Sequence, residues 1–157
     1  MVLDPLSALS VAGTVVQFVD FGTKLLHTTT ELYNSISGAT RDEYRLSIVT
    51  TELLKLITKL SRPLLLENGR AYSTSAEDEL ESLCHECSLV AQELLERLEG
   101  LKVKNGSFRS VHSLQKAVKT AWTKDEIATI TKRLSSFQQI IQMHVLASLR
   151  YRYPLKI

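Results

Sequence analysis

Apolar residues return every three or four positions along most of this chain, and breakers rarely interrupt them: there are three prolines and six glycines in 157 residues. Such a chain buries its apolar side chains by laying helix against helix. Leu46, Val49, Leu53, Leu56 and Leu60 share one face, and Leu80, Leu83, Cys87, Val90, Leu94 and Leu98 share another. Ile127, Ile130, Leu134, Phe137, Ile141 and Val145 line a third. No alternation of period two and no internal repeat stands out. The expected architecture is all-α: a bundle of four long helices plus a shorter helical segment, one domain over residues 1–157.

The punctuation fits that plan. Asp4 suits an N-cap and Pro5 the first helical position, so a first helix is expected over about 4–36, with Gly38 as its stop. Thr40-Arg41-Asp42-Glu43 reads as a capping box for a second helix, which Pro63 ends or bends. Asn68-Gly69 and the Ser/Thr cluster after it mark a loop. Ser75, with Asp78 three residues on, opens a third helix ended by Gly100, and acidic residues crowd its first turns. A basic loop from Lys102 to Gly106 leads to a shorter helix over about 110–122. Thr123 with Glu126 is either a new capping box or part of a continuing helix. The last helix fades near Arg150, leaving a tail over about 150–157.

Hydrophobic residues make up 44% of the chain and charged residues 23%, the balance of an ordinary globular protein. The net charge of +2 hides an asymmetry: residues 1–99 hold 8 Lys/Arg against 15 Asp/Glu, and residues 100–157 hold 11 against 2. The plainer account is an acidic helix packed on a basic one; the other is an anionic partner. Two cysteines three residues apart do not make a secreted disulfide framework, and no basic segment precedes the apolar N-terminus as in a signal peptide. The longest strongly apolar uncharged run, residues 5–19, spans roughly 22 Å as a helix, short of a ~30 Å hydrocarbon core. A soluble, cytoplasmic resting state is therefore expected.

Catalytic chemistry finds no foothold. There is no phosphate-binding G-x-x-x-x-G-K-[ST], no G-x-G-x-x-G, no G-x-S-x-G and no H-E-x-x-H. No catalytic residue and no cofactor is expected. Cys84-His85-Glu86-Cys87 would need two further zinc ligands from elsewhere, so both cysteines are assigned to the core. Trp122, Tyr151 and Tyr153 lie among Lys119, Lys124, Arg150 and Arg152, where aromatics could stack on bases. A core anchor and a frayed terminus explain them more simply, and no nucleic-acid partner is expected.

The N-terminal helix is the unusual element. Between Asp4 and Lys24 its only charge is Asp20. Leu6, Leu9, Ala12, Val16 and Val19 form one apolar strip, and Ala8, Val11, Val15, Phe18 and Gly22 the strip beside it. Ser7, Ser10, Thr14, Gln17 and Lys24 form a narrow polar line, broken by Phe21. A helix apolar nearly all round belongs in the middle of a bundle or in a membrane. Small residues at Ala8, Ala12 and Gly13 would let other helices come close.

The run from Asp4 to Gly22, Asp-Pro-Leu-Ser-Ala-Leu-Ser-Val-Ala-Gly-Thr-Val-Val-Gln-Phe-Val-Asp-Phe-Gly, resembles the opening of the N-terminal domain of fungal NLR-like (STAND) proteins. That domain is related to the HeLo and HeLo-like cell-death domains. Glu79-Leu80-Glu81-Ser82-Leu83-Cys84, Leu94-Leu95-Glu96-Arg97-Leu98 and Lys119-Thr120-Ala121-Trp122 are similar too, so the likeness covers about residues 3–150. Family members usually start Met-Asp-Pro, whereas Val2 and Leu3 intervene here. The resemblance implies a helical bundle joined to a nucleotide-binding receptor module in cis or trans. It implies homo-oligomerisation on activation, with the N-terminal helix freed to reach the plasma membrane and kill the cell. On that basis Leu6, Leu9, Ala12, Val15, Val16, Phe18 and Val19 are the expected insertion or oligomerisation residues. Lys102, Lys104 and Arg109 are the expected contacts to anionic lipid. The alternative is a recruitment or autoinhibitory module without membrane activity.

Overall fold

A computed structural model describes residues 5–34, 42–65, 75–104, 116 and 118–152. Four long helices account for nearly all of them: α1 (Pro5–Asn34), α2 (Asp42–Leu65), α3 (Ser75–Lys104) and α4 (Lys124–Arg152). A short helical stretch at residues 118–121 precedes α4, and among the described residues only Trp122 and Thr123 are not helical. The all-α bundle expected from the periodicity is what forms. Gly38, the box at Thr40 and Arg41, the loop over 66–74 and the tail from 153 lie outside the described residues.

One helix end differs from expectation. Of the two outcomes expected at Pro63, an end or a bend, the end does not occur there, since α2 continues to Leu65. So near a C-terminus, proline's missing N–H removes only one of the last hydrogen bonds. Gly100 does not end α3 either; the helix runs on to Lys104 because the buried Leu98 and Leu101 hold its last turns on the core. Lys102 and Lys104 therefore belong to the last turn of α3, not to a loop.

The helices associate as two close pairs, α2 on α3 and α1 on α4. α1 also touches α2 and α3, α3 meets α4 along a thinner seam, and among the described residues α2 and α4 do not touch. Every long helix contributes to one apolar core, centred on Val15, Phe18, Leu53, Leu60, Val90, Leu94, Trp122, Leu134 and Ile141. Cys84 and Cys87 lie in it with no exposed surface. Burial pushes their thiols up to about 11 and about 12, so both are neutral space-filling groups at physiological pH.

The α3–α4 seam is laced by charge. Arg133 reaches Glu86 at 3.8 Å and Glu93 at 3.5 Å, His144 meets Glu79 at 3.1 Å, and Arg97 meets Glu126 at 3.1 Å. The pairing of low with high residue numbers makes these helices antiparallel. Arg133 and His144 of the basic half thus face carboxylates of the acidic half, as the plainer account of the charge asymmetry requires.

Candidate functional site

α1 is the element on which the sequence places function, and the structure divides its apolar residues. Ala12, Val15, Phe18 and Val19 face the core, with Val15 and Phe18 at 0% exposure. Leu9 and Val16 face outward at 62% and 50% exposure. The expectation of a helix sheltered on all sides is corrected: α1 buries one face and presents the other to solvent. The side chains of Leu6 and Ala8 lie outside the described residues. The strip of Leu6, Leu9, Ala12, Val16 and Val19 is split because it straddles the edge of the buried arc. Ala12 and Val19 turn in, while Leu9 and Val16 turn out.

Among the described glycines, close approach occurs at one, and not at the one expected. A Cβ on Gly13 would meet nothing within 4 Å, whereas a Cβ on Gly22 would stand 2.9 Å from Leu134 Cδ1. Gly22 lets the Leu134 side chain lie against the α1 backbone. Tyr33 in turn lies beside Lys124. These two contacts make α1 and α4 antiparallel and bring Met143 and Leu146 level with the first turns of α1. Both are largely exposed, at 69% and 62%. One end of the bundle therefore exposes large apolar side chains from two neighbouring helices.

Five threonines and two charged pairs of α1 find partners within the helix. The hydroxyls of Thr14, Thr23, Thr28, Thr29 and Thr30 each donate to the carbonyl four residues earlier. Asp20 and Lys24 pair with each other at 2.8 Å, and His27 faces Glu31 at 3.6 Å. The segment Leu9–Glu31 is long and apolar enough to cross a membrane, with mean hydropathy 1.2 and 33% of its apolar window buried. A core helix of a soluble protein passes the same test. The length limit set by the uncharged run no longer holds, since the helix continues past the paired Asp20 and Lys24.

At the opposite end, a rigid corner joins the short stretch to α4. Glu126 accepts from the Thr123 N–H at 2.8 Å and lies 3.0 Å from its hydroxyl, and the Glu126 N–H donates back at 3.2 Å. This is the capping box, so a new helix begins and the short one does not continue. Arg97 donates to the Ala121 carbonyl at 2.9 Å and stacks 4.8 Å from the Trp122 ring centre. Trp122 is 1% exposed and is a core anchor, closed to base stacking. Arg97, then the Thr123 N–H and hydroxyl, hold the Glu126 carboxyl down from 4.5 to about 2. Protonation breaks this clasp, so Glu126 contributes stability above about pH 4.5 that is lost as pH falls toward 2. Glu126→Gln should accordingly lower the denaturation midpoint near pH 7, and the gap to the parent should close near pH 2.

Of the expected lipid contacts, the side chains of Lys102 and Lys104 and all of Arg109 lie outside the described residues. A basic cluster that the sequence does not assemble is described instead: Lys119 and Lys124 approach the Tyr33 ring centre at 5.5 and 5.6 Å. Spacing along the chain does not reveal it, because Tyr33 comes from α1. Among the described residues no group of His, Cys, Asp and Glu is placed to hold a metal ion. No family model, curated protein or solved structure matches this chain.

Proposed function

We propose that this chain is the signalling or executioner domain of a fungal NLR-like immune or heterokaryon-incompatibility system. At rest it is a cytoplasmic bundle. On activation it oligomerises and engages the plasma membrane through α1, promoting programmed cell death. The observation that carries this reading is the self-sufficiency of α1. Its threonine hydroxyls and its Asp20 and Lys24 charges find partners within the helix, which lowers the cost of moving it into lipid. Its outward face already exposes Leu9 and Val16. The resemblance of residues 4–22 to the fungal domains supplies the biological setting.

Dye release from vesicles containing anionic lipid tests it, with the chain fused to an inducible oligomeriser. The parent should release dye. Leu9→Asp combined with Val16→Asp should not, because a carboxylate inside the span at Val16 adds up to about 2.5–3.5 kcal/mol to insertion and a second at Leu9, at the edge of the span, adds less. Both positions are exposed, so the bundle should still fold, which circular dichroism checks. A silent parent, or a double variant that leaks as fast, overturns the reading.

The packing of Val15 and Phe18 favours a second reading, a recruitment module whose α1 never leaves the core. Hydrogen exchange separates the two. In the recruitment module the α1 amides from 12 to 22 stay among the slowest in every assembly state.

A further inference from the structure

The Thr123 corner does more than start a helix. Helix ends at Ala121 and restarts at Lys124, so Lys119 and Lys124 are carried on either side of a two-residue break. Both ammoniums converge on one ring, that of Tyr33 near the end of α1, and lie within about 11 Å of each other. Two exposed like charges repel only weakly at that distance, so a fixed backbone is enough to hold them there. The hold is the corner itself: the buried Trp122, the Arg97 donation to the Ala121 carbonyl, and the capping box at Thr123. Lys116, also exposed, is carried on the turn before, which the Thr120 hydroxyl closes by donating to the Lys116 carbonyl.

Among the described residues, neither Lys119 nor Lys124 is ion-paired. Of the described carboxylates, Glu126 is held by Arg97 and Thr123 and Glu31 lies 3.6 Å from His27, while the side chains of Asp42 and Glu43 lie outside the described residues. Asp125, exposed and next to Lys124, is the opposing charge. A half-buried tyrosine flanked by two ammoniums that no described residue ion-pairs offers two positive charges and the donors of the ammonium and phenol groups. That set matches a compact dianion better than a single negative charge.

We propose that Tyr33, Lys119 and Lys124 form a binding site for a phosphomonoester dianion, of the kind carried by a membrane lipid headgroup or a small soluble phosphate. The proposal rests on the membrane reading only for the source of the phosphate. The site lies some 24 residues along α1 from Leu9, about 36 Å. It therefore does not share a point of contact with the apolar end, and a bundle using both lies along the surface rather than end-on.

Co-sedimentation of the full chain with phosphatidylcholine vesicles carrying phosphatidic acid, or an equal fraction of phosphatidylserine, tests the assignment. The parent should prefer phosphatidic acid. Lys119→Gln or Lys124→Gln should weaken that binding about fivefold each, and the double variant about thirtyfold. Asp125→Asn should strengthen it, and Tyr33→Phe should weaken phosphatidic acid binding but not phosphatidylserine binding. Competition by soluble glycerol phosphate assigns the site to a free phosphomonoester; resistance to it assigns the site to the lipid. A double variant that binds phosphatidic acid like the parent, or loses both lipids equally, overturns the proposal. A parent that prefers phosphatidic acid yet releases no dye overturns only the membrane reading, and a parent that releases dye with no such preference overturns only this site, so the two readings fail separately.

Discussion

Val15→Asp should prevent folding, whereas Val16→Asp, one residue along the same helix, should leave the bundle folded. Val15 has no exposed surface and packs in the core shared by all four helices. The substitution loses about 1.5–3 kcal/mol of apolar burial. It also strands a carboxylate with no cation beside it, at a cost of several kcal/mol more. Together these rival the whole stability of a domain of this size, about 5–15 kcal/mol. Val16 is half exposed, so its carboxylate keeps its water and the change falls within about 1 kcal/mol. Thermal melts by circular dichroism read both: no cooperative transition for Val15→Asp, and a melt within a few degrees of the parent for Val16→Asp. The contrast also fixes which substitutions can probe membrane activity, since a leakage defect in an unfolded variant says nothing about insertion.

Trp122→Ala should cost about 3–5 kcal/mol, the range for removing a large buried aromatic. Trp122 is the largest fully buried side chain among the described residues, and it sits where the chain leaves one helix and starts another. Its ring is also the platform for the Arg97 guanidinium, 4.8 Å from the ring centre. Arg97 keeps its bonds to Glu93, Glu126 and the Ala121 carbonyl in the variant, so the loss is a cavity with a slackened clasp around it. Trp122→Phe should recover part of the stability by refilling the space. A double-mutant cycle with Arg97→Met should give a coupling of about 1–2 kcal/mol. A coupling near zero would mean the stacking is incidental and Trp122 acts by volume alone.

Much of this could be read along the chain. The stripes on α2, α3 and α4 name most of their core residues because each helix has one dominant apolar face; Val49 and Val145 are only half-buried against the core, and the side chain of Leu46 lies outside the described residues. Leu53, Leu56 and Leu60 are buried, as are Leu80, Leu83, Cys87, Val90, Leu94 and Leu98, and so are Ile127, Ile130, Leu134, Phe137 and Ile141. The box at Thr123 and Glu126 was legible because capping is local chemistry, settled within four residues. Gly100 misled for the opposite reason: a local breaker yields when the turns around it are held by a distant core. The Tyr33 cluster was hidden because it joins residues some ninety positions apart.

The amino-acid order alone therefore determined the helical class, the core face of three helices and the charge-poor character of the fourth. Only the tertiary structure decided which way α1 turns. With apolar side chains on two adjacent strips, α1 has no inward direction of its own. The direction comes from its fit to α4, where Gly22 admits Leu134 while Val15 and Phe18 fill the core. Packing is short-ranged and depends on matched shapes. The same fit that buries Val15 and Phe18 turns Leu9 and Val16 out to solvent.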